Sequence, residues 1–241
     1  MLKEVGVLFR RNGTVWKEPI LDVVHDLRQS QVPAVLFGGT LRSLLVSRIF
    51  EDKPGRPRDI DIVVSGTTIA QLEERFRGIV ARRTRFGGLR LQRGIWQFDV
   101  WPVGETWAFK HDHDGGTPDF AGLPRTTTFN LEAVAVEAWP CDGRRRALFS
   151  GDDQFFEGII SKTIELNREK NPFPELTVVR GLILSRELSF KIGPRLAGYI
   201  GEVGASMDED VVDRIQADHY GLIRMSSRAL HDSITEIVRR A

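Results

Sequence analysis

A single cysteine, Cys141, occurs in 241 residues, so the chain can form no internal disulfide framework and no cysteine-based zinc site. An excess of either charge is lacking too. Thirty-four Lys and Arg face 33 Asp and Glu for a net charge of +1, and contact with a polyanion would have to come from a local patch rather than a global field. No apolar run approaches the roughly 20 residues of a membrane span. The start, Met1-Leu2-Lys3-Glu4, carries an early acid and no apolar h-region, unlike a secretory leader. Together these absences lead us to expect a cytoplasmic protein without a membrane partner. An apolar content of 41% suffices to bury a sizeable core, either as one large domain or as a domain with an appendage.

Local patterns divide the chain near residue 150. Before it, short β-branched and apolar runs alternate with glycine turns and helical spacings. Residues 4–16 read as a hairpin around Arg11-Asn12-Gly13, and Pro19 to Gln29 as a helix with Ile20, Leu21, Val24 and Leu27 on one face. Ala34-Val35-Leu36-Phe37 is a buried strand, broken by Gly38-Gly39 and followed by a helix from Thr40. Two prolines and a glycine make residues 51–58 a loop. Thr67 or Thr68 caps a helix to about Arg77. Residues 79–103 are β again, turning at Gly87-Gly88, and Lys110 to Pro124 is a polar loop. Phe129 to Trp139 and Ala147 to Phe149 read as two more strands. After Gly151, Leu176–Phe190, Pro194–Ile200, Asp208–His219 and Ser226–Arg240 are helical. The expected fold is α/β: a mixed sheet of about five to seven strands flanked by helices over residues 1–150, then a small helical domain over 151–241.

Arg58-Asp59-Ile60-Asp61-Ile62-Val63-Val64 carries the chemistry. In a strand, side chains alternate, so Asp59 and Asp61 face one side while Ile60 and Ile62 pack behind them. Two neighbouring carboxylates repel and raise one another's pKa, and a divalent cation removes that repulsion; Mg²⁺, or Mn²⁺ in its place, suits a site of few protein oxygens completed by substrate phosphates. Gly38-Gly39, at a strand end and a helix start, lets backbone approach a phosphate, and the helix N-terminus favours an anion. Arg42 and Arg48 could add charge-assisted contacts. A lone Gly-Gly is more often a plain turn, but its coupling to Asp-x-Asp reverses that preference. Asp99, in the alternating strand Gln97-Phe98-Asp99-Val100-Trp101, faces the same way as Gln97 and would complete a set of three acids able to hold two metals.

Gly38-Gly39-Thr40-Leu41-Arg42-Ser43-Leu44-Leu45-Val46-Ser47-Arg48 followed by Arg58-Asp59-Ile60-Asp61 resembles the head domain of class II CCA-adding enzymes and bacterial poly(A) polymerases, within the polymerase-β-like nucleotidyltransferase superfamily. Arg125-Thr126-Thr127-Thr128-Phe129-Asn130 is similar to the family's Arg-Asp-Phe-Thr-hydrophobic-Asn segment, matching at Arg125, Thr128 and Asn130. The stretch from Val178 through Arg180 to Phe190-Lys191-Ile192 is similar to its neck helix. The resemblance covers roughly residues 33–200. It implies that Asp59, Asp61 and Asp99 hold magnesium and are catalytic, and that Gly38, Gly39, Arg42, Arg125, Asn130 and Arg180 bind the nucleotide. The implied reaction moves a nucleoside monophosphate from an NTP to an acceptor hydroxyl, most readily an RNA 3′ end, releasing pyrophosphate. A protein or small-molecule acceptor, or a catalytically silent nucleotide- or RNA-binding protein, are the alternatives.

The departures bear on substrates. Ser43 stands where the family has Asp, Thr126 replaces the Asp of its segment, and the base-reading positions counted back from Arg180 are Pro174 and Thr177. The resemblance stops short of the body and tail that grip tRNA in those enzymes, and a partner subunit would then supply acceptor recognition. Arg82, Arg83, Arg85, Arg90 and Arg93 form a basic hairpin that could follow an RNA backbone or simply be solvated. Trp101, Trp107 and Phe109 could stack on a base, but core packing is the commoner role. His111-Asp112-His113-Asp114 could place two histidines on one face, although a glycine-rich loop more often displays solvated polar residues.

Overall fold

A computed structural model describes residue 23 and residues 25–50, 58–112, 116–139 and 145–240. The hairpin expected at 4–16, the first part of the helix expected from Pro19, most of the 51–58 loop, His113, Asp114, Cys141 and the turn at 143–144 lie outside the described residues. The chain forms two compact units, Met1–Thr127 with Glu132–Asp153, and Thr128–Leu131 with Gln154–Ala241.

In the first unit the elements run β1 (Ala34–Phe37), α1 (Gly39–Ile49), β2 (Ile60–Val64), α2 (Ile69–Arg75), β3 (Val80–Arg83), β4 (Leu89–Arg93), β5 (Trp96–Pro102), α3 (Trp107–His111), β6 (Ala135–Glu137) and β7 (Leu148–Phe149). Among the described residues seven strands make one mixed sheet in the order β3-β4-β5-β2-β1-β6-β7. Only β2 and β5 pair in parallel, because the chain between them crosses over through α2 and the β3–β4 hairpin. One face is closed by apolar side chains: Leu36, Ile60, Ile62, Phe98 and Val100 are all at most 1% exposed. Each such side chain contributes about 1.5–3 kcal/mol by leaving water, and their alternation locks the register. Thr68 caps α2 in a reciprocal capping box with Gln71, which fixes where the crossover helix begins.

The opposite face is divided. Val35, Phe37, Val63, Val103, Leu123 and Ala135 form an apolar cluster there, joined by Trp101, Phe109, Phe120 and Phe149. The segment expected as a polar loop after Lys110 therefore begins in a helix and sends Phe120 and Leu123 inward. Trp101 and Phe109 pack in this cluster, and the Trp101 indole N–H donates to Thr106 Oγ1 at 3.1 Å.

The second unit contains α4 (Gln154–Ile160), β8 (Thr163–Ile164), α5 (Pro174–Leu188), β9 (Lys191–Ile192), α6 (Pro194–Gly204), α7 (Glu209–Tyr220) and α8 (Ser227–Arg240), with β8 and β9 in parallel. Glu165 organises it: Oε1 accepts from Leu166 N and Leu196 N, both at 2.7 Å, and Oε2 from Arg195 N at 3.3 Å, capping the start of α6 from a distance in sequence. The strand expected from Phe129 to Trp139 is confined to Ala135–Glu137. Asn130 interrupts it by accepting from the N–H groups of Leu131 and Glu165, which turns the chain into a 3-10 segment at Asn130–Glu132. Among the described residues no helix is long and apolar enough to cross a membrane.

Candidate active site

Backbone register aligns the acids. Asp61 on β2 pairs with Asp99 on β5, and Phe37 on β1 pairs with Asp61; residues opposite each other point to the same face. Asp99 pairs in turn with Arg90 on β4, and Arg90 with Arg82 on β3. One row across the sheet thus reads Arg82, Arg90, Asp99, Asp61, Phe37. Val35, Val63 and Trp101 form the next row on that face, so the acids border the apolar cluster on one side. Asp59 lies one residue before the start of β2.

These charges act on one another. Desolvation pushes the Asp61 carboxyl well above the usual carboxylate range, Asp59, Asp99 and Glu132 push it further in that order, and Arg58 opposes them. Asp59 Oδ2 accepts from Arg58 Nε at 3.0 Å and Nη2 at 2.9 Å. Asp99 is bound by the fork of Arg90, with Nε to Oδ1 at 2.7 Å and Nη2 to Oδ2. Among the described residues no three His, Cys, Asp or Glu side chains are gathered as a metal cage; guanidinium groups hold oxygens of the two outer acids. The donor set still fits a hard divalent cation that needs few protein oxygens, since Asp61 sits among like charges that such a cation would neutralise.

The glycine turn closes onto this row. Gly38 has φ +68° and ψ −135°, a region essentially confined to glycine, and a Cβ there would stand 3.3 Å from Asp61 Oδ2. The α1 N-terminus has no side-chain cap, which leaves its first turn suited to an anion. Thr40 Oγ1 donates to the Asp59 carbonyl at 3.1 Å, tying that helix start to the entry of β2. Ser43 bonds back to the Gly39 carbonyl at 3.0 Å.

The remaining expected residues are distributed. Arg42 lies beside Gly39, with Nη2 3.4 Å from where a Gly39 Cβ would be, and its Nη1 donates to Glu132 Oε1 at 3.1 Å. Arg48 is in the last turn of α1, remote from the glycine turn by about 14 Å of helix. Arg125 is exposed on the 3-10 turn Leu123–Thr126. Asn130 and Arg180 belong to the second unit: Asn130 is buried with Nδ2 donating to the Thr163 carbonyl, and the Arg180 guanidinium lies 5.4 Å from the Phe129 ring centre. Thr177 is 3% exposed and its hydroxyl bonds to Asn171 Oδ1, while Pro174 opens α5. In the basic hairpin Arg83 pairs with Glu73, Arg90 with Asp99, and Arg85 lies over Phe86. Sequence reasoning placed Arg90 in the basic hairpin but missed its pairing with Asp99, for which the polar spacing of β4 against β5 was a signal, and it missed Glu132 as the partner of Arg42. His111 stacks near Trp107 at 5.4 Å.

A groove of about 800 Å³ lined by Asp26, Ser30, Gln71 and Arg75 among others is remote from the acids. It includes Val32 and Gly66, both beyond the Ala34–Val64 end of the β1–β2 pair, whereas Asp61 pairs with Phe37 at the other end.

In sequence the chain matches no family model and no curated protein. Its fold is that of solved structures of CCA-adding and tRNA-processing enzymes. It is similar to a CCA-adding enzyme in complex with CTP, at 14% identity and a TM-score of 0.63, over 98% of this chain and 54% of that one. It is similar to the Thermotoga maritima CCA-adding enzyme complexed with tRNA(CCA), at 14% identity and a TM-score of 0.62, over 98% and 53%. A tRNA-processing enzyme in its apo form I matches at 16% identity and a TM-score of 0.59, over 96% and 58%. The chain thus spans little more than half the length of these structures.

Proposed function

We propose that the protein is a metal-dependent nucleotidyltransferase that moves a nucleoside monophosphate from an NTP to an acceptor hydroxyl, most readily an RNA 3′ end. The carrying observation is the in-register pair Asp61–Asp99 with the Gly38 turn closing on Asp61. Asp59 and Asp61 would hold Mg²⁺. When bound, the ion would polarise phosphoryl oxygens and offset charge on the departing pyrophosphate. The uncapped first turn of α1 receives the triphosphate, and Gly38 and Gly39 allow the backbone its close approach. Arg42, tethered by Glu132, is oriented beside that turn. The acceptor oxygen bonds to the α-phosphorus, the bond to the bridging oxygen breaks, and pyrophosphate leaves. Asp99, across from Asp61, is the carboxylate that would help hold the ion or would take the hydroxyl proton.

Asp59→Ala or Asp61→Ala should abolish incorporation of labelled NTP while circular dichroism remains that of the parent. Undiminished incorporation would sink the assignment. Each labelled NTP, supplied in turn with Mg²⁺ and total cellular RNA or protein, identifies the base and the acceptor class together.

Two observations favour a second reading, a silent nucleotide-binding protein: Arg90 occupies both Asp99 oxygens, and Thr177 is buried. Calorimetry with each NTP with and without Mg²⁺, run beside a turnover assay, separates the two; metal-dependent binding without turnover supports the silent form.

A further inference from the structure

The row that carries the acids continues into a cation. Arg90 stands directly opposite Asp99 on the neighbouring antiparallel strand, and its fork takes both carboxylate oxygens. The two side chains are only 23% and 17% exposed, so solvent screens the pair weakly. Arg58 differs: its side chain is 42% exposed and its two bonds to Asp59 meet one oxygen, Oδ2. Arg90 is therefore the built-in counter-ion of the carboxylate row, contributed by the sheet itself.

We propose that Arg90 is a positioning residue that competes with a divalent cation for Asp99, and that a phosphate group of the substrate relieves the competition by drawing the guanidinium to itself. The inference rests on the nucleotidyl-transfer reading. A guanidinium fork on both oxygens takes a lone pair of each and sets a positive charge beside them, which lowers their affinity for a divalent cation, whereas the same fork matches two oxygens of a phosphate. Binding of the cation at Asp99 and of the anion at Arg90 is then coupled, each making the other tighter, and by linkage the coupling is the same in either direction.

The test is Mn²⁺ binding to the full chain, followed by the electron paramagnetic resonance signal of the free ion. Arg90→Met should bind Mn²⁺ about tenfold more tightly than the parent, the scale on which a neighbouring charge shifts a carboxylate's affinity. Adding Asp99→Asn should cancel that gain. A non-hydrolysable NTP analogue should tighten Mn²⁺ binding in the parent more than in Arg90→Met. Equal Mn²⁺ affinity in the parent and Arg90→Met, in a protein where Asp61→Asn weakens binding, overturns the role of Arg90 and leaves the nucleotidyl-transfer reading standing. Absence of any Asp61-dependent Mn²⁺ binding in either protein overturns the metal-dependent reading itself, and this inference with it. If circular dichroism shows that Arg90→Met fails to fold, Arg90→Lys carries the test, because an ammonium cannot fork across two oxygens: affinity above the parent supports the proposal, and affinity no higher than the parent overturns it.

Discussion

Asp61 is destabilised where it stands, and the sign of its effect on stability can be worked out. Its folded-state pKa lies well above the usual carboxylate value, first through desolvation and then through Asp59, Asp99 and Glu132. The folded protein therefore binds this proton more tightly than the unfolded chain does. Stability falls as pH rises from the ordinary carboxylate range through the folded-state pKa, and above it the penalty stays constant. Asp61→Asn should raise the melting temperature at neutral pH, and the gain should shrink as pH falls toward about 4, where the ordinary carboxylate is half protonated. Melting curves of both proteins between about pH 4 and pH 8 check this, and a gain that did not vary with pH would contradict it. The same residue identifies the cost a cation would relieve. An acid that weakens the fold stands here beside Gly38, where a Cβ would lie 3.3 Å from its Oδ2.

Among elements, helix starts are held by different devices. α2 uses the neighbouring capping box of Thr68 and Gln71, and α7 is capped by Asp208, which accepts from Val211 N at 2.8 Å. The Thr68 cap was readable because it lies next to its helix, whereas Asp208, expected as the first helical residue, is the cap itself. α6 instead depends on Glu165, about thirty residues earlier, which accepts three backbone N–H bonds. Glu165→Ala should cost about 2 kcal/mol, since it removes a charged acceptor from part-buried donors, and chemical denaturation measures it. A loss below about 0.5 kcal/mol would mean that water caps α6 equally well. The expected strand from Phe129 to Trp139 failed for a related reason. Its apolar pattern is real, and Phe129, Leu131, Val134 and Val136 are fully buried. Burial does not require extended backbone, however, and the Asn130 side chain competes for the N–H groups a strand would use.

For the molecule as a whole, the two faces of β2 divide stability from chemistry. Ile62 is fully buried on the apolar side, so Ile62→Ala should cost about 2–5 kcal/mol. Asp59→Ala, at the other face's edge, should cost less than about 1 kcal/mol yet remove activity. Denaturant midpoints read beside an incorporation assay test the contrast; equal destabilisation by both substitutions would overturn it.

The α/β class, most of the sheet strands, the helical second part and the pairing of a glycine turn with Asp-x-Asp follow from periodicity and residue type alone, because side-chain alternation and φ preferences are local properties. The partners of those residues are not local. Arg90 looked like one cation of a basic hairpin until the β4–β5 register set it against Asp99, and Glu132 had no evident role until it met Arg42. Thr128–Leu131 joins the second unit although its neighbours on both sides belong to the first. Strand order, register and the ion pairs they create depend on contacts between residues far apart in sequence, and it is these contacts that set Asp61 and Asp99 in one row with its own counter-ion, beside Asp59.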